Sequence, residues 1–232
     1  MRIFLFIIAN LLFLPNMAFA NISLDKVIIG FSPNQRPVEN ITVTNQSENV
    51  LKVTGTAFKI TDSGQDTETE EPAKGLVIAP KSFEIKPGES RVVRLVLREF
   101  PDDLEGIYRV RFKPDQANYN EQTFEGGKSV RIGVVLTMGA LVTVAPKNPA
   151  PDLSFQRTGN TVTFENKGNV TAQLQREDFC NESRTECIPL QGKRIYPGMT
   201  WTLEVPEKLT DKAFTQTLLM NGQYSTLSFP AP

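Results

Sequence analysis

Histidine is absent from the sequence, which removes the commonest general base, the Ser-His and Cys-His nucleophile pairs and most zinc sites. Ser, Asp and Glu are scattered without a Gly-rich nucleophile elbow or a paired-carboxylate motif, so an enzymatic reading has no constellation to rest on. No cofactor or metal motif is present. The basic residues Arg109, Arg111, Lys113 and Arg131 could form a stripe. No exposed aromatic interleaves them, and a formal net charge of -1 gives no general attraction for a nucleic acid. The acidic run from Asp62 to Glu71 (DSGQDTETEE) lacks the firm spacing of a calcium loop and reads as a solvated loop.

The residues with unused chemistry are instead apolar. From Ser129 to Pro146 the chain reads SVRIGVVLTMGALVTVAP, with Val130, Ile132, Val134, Leu136, Met138, Ala140, Val142 and Val144 at the even positions. A strand projects alternate residues from one face, so this stretch predicts a long strand with one continuous apolar row. The odd positions are mixed: Arg131, Thr137 and Thr143 are polar, while Val135 and Leu141 are not. Taken alone, such a run fits the core of a sandwich.

The elements that would position this strand are also β. Lys26 to Phe31, Ile41 to Thr44, Val50 to Ile60, Leu76 to Ile78, Ser82 to Ile85 and Arg91 to Leu97 carry β-branched and aromatic residues between turn signals, the pattern of a sandwich. In Arg91 to Leu97, Arg94 sits among apolar neighbours, which predicts a buried ion pair. In Tyr108 to Lys113, Tyr108, Val110 and Phe112 suit a core, with Arg109, Arg111 and Lys113 on the other face. This strand is expected to lie antiparallel to the long one, its start beside the other's end.

At 232 residues with 40% hydrophobic content there is room for two cores. The boundary is Pro146-Lys147-Asn148-Pro149-Ala150-Pro151, a proline-rich connector that cannot continue a ladder. Beyond it the first half recurs in miniature: Thr161 to Asn166 echoes Thr42 to Asn45, and Ile195-Tyr196-Pro197-Gly198 echoes Ile85-Lys86-Pro87-Gly88. The expected domains are 21–146 and 147–232. Ahead of them, Arg2, the apolar run Ile3 to Leu14 and Ala18-Phe19-Ala20 make residues 1–20 a cleavable export signal. No later stretch reaches the roughly 20 apolar residues of a membrane span. In an oxidising compartment Cys180 and Cys187, flanking a polar turn, are expected to form a disulfide contributing about 2 to 3 kcal/mol.

Together the phrases GLVIAPKSFEIKPGESRVVRL, GIYRVRF, VRIGVVL and FCNESRTECIPLQGKRIYPG, in this order in an exported two-sandwich chain, resemble the periplasmic chaperones of pilus and fimbrial assembly. Tyr108-Arg109-Val110 and the cysteine pair are more similar to the alternate and archaic branch. The resemblance implies an all-β fold of two immunoglobulin-like sandwiches in a boomerang arrangement, and binding of pilus subunits by donor-strand complementation, with delivery to an outer-membrane usher. It makes Val130, Ile132, Val134, Leu136 and Met138 the donor side chains. Members of the best-known type hold the subunit's terminal carboxylate with an arginine in the first strand and a lysine late in the donor strand. Here Lys26 lies near the first position and Leu141 occupies the second, so Arg109 with Lys26 is the expected anchor. The free chaperone could cap its own strand as a dimer. A sandwich-type pilus subunit or adhesin is the alternative, but such a subunit needs a strand donated to it, whereas this chain has strands in excess.

Overall fold

The computed structural model describes residues 21–65, 67–115, 118–124, 128–180, 185 and 187–232, with 118–124 and 128–134 described as backbone only. The expected signal segment, 1–20, lies outside them. Every regular element among the described residues is a strand except a 3-10 turn at Glu207–Leu209.

The strands are β1 (Ile22–Leu24), β2 (Ile28–Phe31), β3 (Val38–Asn45), β4 (Leu51–Ile60), β5 (Glu70–Pro72), β6 (Leu76–Ala79), β7 (Ser82–Ile85), β8 (Ser90–Leu97), β9 (Gly106–Pro114), β10 (Asn118–Phe124), β11 (Lys128–Val134), β12 (Met138–Val144), β13 (Leu153–Thr158), β14 (Thr161–Asn166), β15 (Ala172–Leu174), β16 (Glu177–Cys180), β17 (Cys187–Leu190), β18 (Lys193–Ile195), β19 (Thr200–Glu204), β20 (Phe214–Met220) and β21 (Gln223–Phe229). Two immunoglobulin-like sandwiches result. The first packs the sheet β1-β3-β8-β6 on β2-β12-β9-β4-β5, with β7 also paired to β4. The second packs β13-β14-β19 on β18-β15-β20-β21. Each has its own core, the first around Phe112, Ile41, Leu95 and Val142 and the second around Phe164, Phe229, Leu174 and Ile195.

Alternation explains which faces close. Tyr108, Val110 and Phe112 of β9 are buried, as are Ala140, Val142 and Val144 of β12, so both strands turn their even positions inward. In β8 the buried set is Val93, Leu95 and Leu97, and Arg94 lies exposed on the outer face. The expected buried ion pair of Arg94 is therefore not formed: both faces of this strand carry valines, and the face bearing Val92, 53% exposed, is the one left to solvent.

The internal repeat is structural. Asn45, fully buried, donates through Nδ2 to the carbonyls of Asn49 at 2.7 Å and Ile85 at 2.9 Å. Asn166, also fully buried, donates to those of Val170 at 2.9 Å and Ile195 at 2.7 Å. The tight turn facing each asparagine has a glycine at positive φ, Gly88 at 72° and Gly198 at 78°, which L side chains adopt with difficulty. Their N–H groups donate to the Asn45 and Asn166 carbonyls. Cys180 and Cys187 are directly paired across the β16–β17 hairpin and form the disulfide.

The proline-rich connector is bonded on both sides. Lys147 N–H donates to Pro101 O at 2.8 Å, and its Nζ reaches Asp102 at 2.7 Å and Glu99 at 3.4 Å. These carboxylates, Asp102 foremost, hold the ammonium above its usual range. From the second sandwich, Asn169 Nδ2 donates to Asn148 O and to Asp103 O, each at 3.0 Å, and its Oδ1 accepts from Ala150 N–H at 2.6 Å. A Cβ on Gly168 would approach Asp152 N to 2.5 Å and Ala150 O to 2.6 Å, so only glycine lets the connector lie this close.

Candidate functional site

The predicted long strand is two strands. β12 pairs antiparallel with β9 from Met138 opposite Phe112 to Val144 opposite Gly106, and parallel with β2 from Leu141 opposite Ile28 to Val144 opposite Phe31. Two residues beyond Met138 in the same register, Leu136 would face Pro114, where β9 ends. Proline has no N–H for a ladder, so the pairing with β9 stops there. Residues 135–137 are outside any strand, and β11 pairs only with β10, among the described strands, from Asn118 opposite Val134 to Phe124 opposite Lys128. The described part of the stretch between β9 and β11 is largely strand β10.

The expected donor residues fall on both sides of this break. Val130, Ile132 and Val134 are alternate positions of β11, opposite Gln122, Asn120 and Asn118; their side chains are outside the described residues. Leu136, in the break, is 42% exposed, beside Val135 at 37%. Met138 opens β12 and packs, partly buried, against the first core.

Between the sandwiches lies a cleft of about 950 Å³. One wall is the outer face of the β2–β12 pair, with Ile28, Gly30 and Thr143; the other carries Gln173, Arg194 and Tyr224. That second wall is a cross-strand row: Arg194 is opposite Gln173, Gln173 opposite Leu219, and Leu219 opposite Tyr224. Glu105 sits at its edge and accepts from Thr171 N–H at 2.7 Å, while its own N–H donates to Asn169 O at 3.0 Å. Burial pushes the Glu105 carboxyl up, against the pull of that hydrogen bond. Burial likewise raises the Tyr196 hydroxyl, with Arg194 and Arg109 acting in the opposite sense and Glu68 and Glu105 adding to the rise.

Arg109 stands where alternation put it, on the outer face of β9, between Leu141 of β12 and Phe58 of β4. Its guanidinium is already occupied. Nη2 meets Glu68 at 2.7 Å and Nη1 meets Glu70 at 3.0 Å. Arg111 lies over the Phe58 ring, 5.2 Å from its centroid, and grips both Glu70 oxygens at 2.6 Å. The acidic run is thus not a purely solvated loop: Glu70 to Pro72 forms β5 on the edge of β4. Lys26 precedes β2, and its Nζ is 3.5 Å from Glu39 of β3, in the opposite sheet. Arg109 and Lys26 therefore do not converge on one partner in this structure.

Arg194 and Arg176 line the cleft without an ion pair among the described residues. Sequence reasoning passed over both. Arg194 had a signal: it precedes Ile195, the counterpart of the core residue Ile85, so alternation alone assigns it to the outer face. Arg176 is in a short connection with no such pattern. Among the described residues no helix is long and apolar enough to cross a membrane, and no group of Cys, Asp and Glu could hold a metal ion.

Residues 21–135 match the family described as pili and flagellar-assembly chaperone, PapD N-terminal domain. No curated protein sequence matches the chain. Among solved structures, a chain of the Salmonella enterica SafA pilin–SafB chaperone complex superposes with a TM-score of 0.62 at 15% identity, over 92% of this chain and 97% of that one. The E. coli chaperone DraB does so with 0.60 at 16% identity, over 91% and 96%. The class 5 fimbriae chaperone CfaA gives 0.55 at 21% identity, over 91% and 100%. At these identities the likeness is one of fold, and it extends across both sandwiches.

Proposed function

Since the chain belongs, through residues 21–135, to the pili and flagellar-assembly chaperones, we propose that it binds a fimbrial subunit by lending it β11 as a missing strand. The family is not an enzyme class. In this reading residues 1–20 direct export to the periplasm and are removed, residues 21–146 form the subunit-binding domain, and residues 147–232 form the second. The client passes from here to an outer-membrane usher.

The observation that carries the reading is the contrast along one stretch of chain. β12 is locked between β9 and β2, while β11, immediately before it, is paired along one edge with β10 and along the other with no described strand. A free edge followed by an apolar alternation is an aggregation hazard in a protein with no use for it, and a recognition element in one that adds a strand to a client. Val130, Ile132, Val134 and Leu136 supply the apolar row, with Met138 at the junction to the home core. Burying four such side chains contributes about 6 to 12 kcal/mol before ordering costs. An exposed ion pair contributes about 0 to 1, so the row carries affinity and charge sets the register. Arg109 is the anchor for the client's terminal carboxylate, and Lys26 is the second cation.

Co-expression in the periplasm with candidate subunits tests this. The expected result is a stable one-to-one complex that is lost in the double variant Ile132→Asn/Val134→Asn and weakened by Arg109→Ala more than by Lys26→Ala. Equal recovery of the complex from the double variant, shown folded by circular dichroism, overturns the donor assignment.

A further inference from the structure

The run from Asp62 to Glu71 is held at both ends. At one end Glu70 is tied into β5, opposite Ile60, and meets Arg109 once and Arg111 twice. At the other, Gly64, with φ at +81°, lies against the second sandwich: a Cβ there would collide with Met199 Sδ and come within 2.8 Å of Tyr196 Cδ2. Between them is Glu68, outside any strand, joined to Arg109 by a single contact from Nη2 at 2.7 Å. The two carboxylates are therefore unequally held. Glu70 has three contacts and a ladder behind it; Glu68 has one contact.

We infer that Glu68 is a built-in competitor for the carboxylate site on Arg109, exchanged for the client's terminal carboxylate when the client binds. The inference rests on the reading of Arg109 as the anchor. The exchange is like for like. Nη2 loses one carboxylate oxygen and gains another, the charge on the site is unchanged, and Glu70 keeps Nη1 and Arg111 in place throughout. A bare guanidinium would attract any anion that approached it. An occupied one admits a ligand that offers a carboxylate and also brings strand contacts of its own. Because Gly64 rests on Tyr196 and Met199, release of Glu68 also loosens a strap between the two sandwiches. Glu68 and Arg109 are both partly exposed, at 27% and 36% of their side chains, so the contact is of the weak, exchangeable kind, about twofold to fivefold in an equilibrium constant.

The test uses the full mature chain and two probes, an alternating Thr-Val decapeptide with a free terminal carboxylate and the same peptide as its amide. Glu68→Gln should raise affinity for the acid form about twofold to fivefold and leave the amide unchanged. In the parent, amide exchange across residues 62–71 should speed up with the acid peptide and not with the amide, a readout that needs no variant to fold. If Glu68→Gln changes neither affinity, or both equally, while the parent still prefers the acid in an Arg109-dependent way, the competitor role is overturned and the anchor stands. Unchanged exchange across residues 62–71 on acid binding overturns it in the same way. A parent that binds neither peptide, or binds both equally, overturns the anchor reading and this inference with it.

Discussion

Asn45 and Asn166 do the same work in the two sandwiches, each fully buried and each donating to the carbonyl four residues on and to the carbonyl ahead of a glycine turn. What surrounds these latches differs. The first sandwich carries an apolar alternation next to a strand edge unpaired among the described strands, and a cation pair under acidic cover. The second has devices that close it. Arg157 donates to the carbonyls of Leu209, Thr210, Lys212 and Pro230 at 2.6 to 3.0 Å and lies over Phe214, and the disulfide closes β16 on β17. The repeated part builds a fold; the unrepeated part of the first sandwich is the one proposed to face a partner, and the unrepeated part of the second holds the chain end.

The largest perturbation of this comparison should come from the latches. Asn166→Ala strands two buried carbonyls at about 1 to 3 kcal/mol apiece, for a loss of about 2 to 6 kcal/mol. Asn45→Ala strands one, that of Ile85, for about 1 to 3 kcal/mol, since the Asn49 carbonyl keeps Ser47 Oγ as a donor. Denaturant unfolding followed separately by Trp201 fluorescence, which reports the second sandwich, and by exchange of β9 amides, which reports the first, should show each change in its own sandwich alone. Equal shifts in both would mean that the sandwiches unfold as one unit. Next, Arg157→Met removes four donated hydrogen bonds and should cost the second sandwich about 2 to 4 kcal/mol, with no effect on client binding. Replacing both cysteines by serine should follow at about 2.5 kcal/mol from the chain-entropy estimate for so short a loop, again confined to the second sandwich by the same two probes.

The smallest effect should sit between the sandwiches. Burial raises the Glu105 carboxyl in the folded chain, so the folded state binds this proton more tightly than the unfolded state. Stability from this group is then greatest at low pH and falls as pH rises from the ordinary carboxylate range through the raised value. Glu105→Gln keeps an acceptor for Thr171 N–H and should flatten that slope. A Tm-against-pH profile steeper in the variant than in the parent would contradict the assignment.

How much of this was visible in the sequence depends on the range of the interaction. The inward rows of β9 and β12 were legible because one face of each is buried and the period is local, and the cysteine pair because seven residues of separation suit a hairpin. The Pro-Gly turns announced the repeat. Arg94 was misread because β8 has valines on both faces, so alternation does not say which one closes. The end of the β12 ladder is set by Pro114 in another strand, and nothing within 129–146 marks it. The acidic run met its arginines about forty residues further along the chain, a distance at which charge patterning is silent.

The parallel pairing of β2 with β12 has a mechanical consequence. A client tugged away along the axis of β11 would load the rungs joining β12 to β9 and to β2 in shear, so that they resist together instead of peeling one at a time. The strand proposed to be lent is thus moored rather than hinged: traction on the client should part the client's own pairing before it unravels its host. In a single-molecule pull from a cysteine placed at Leu136, the first sandwich should hold as one block, and stepwise yielding of β12 would show that the mooring is absent.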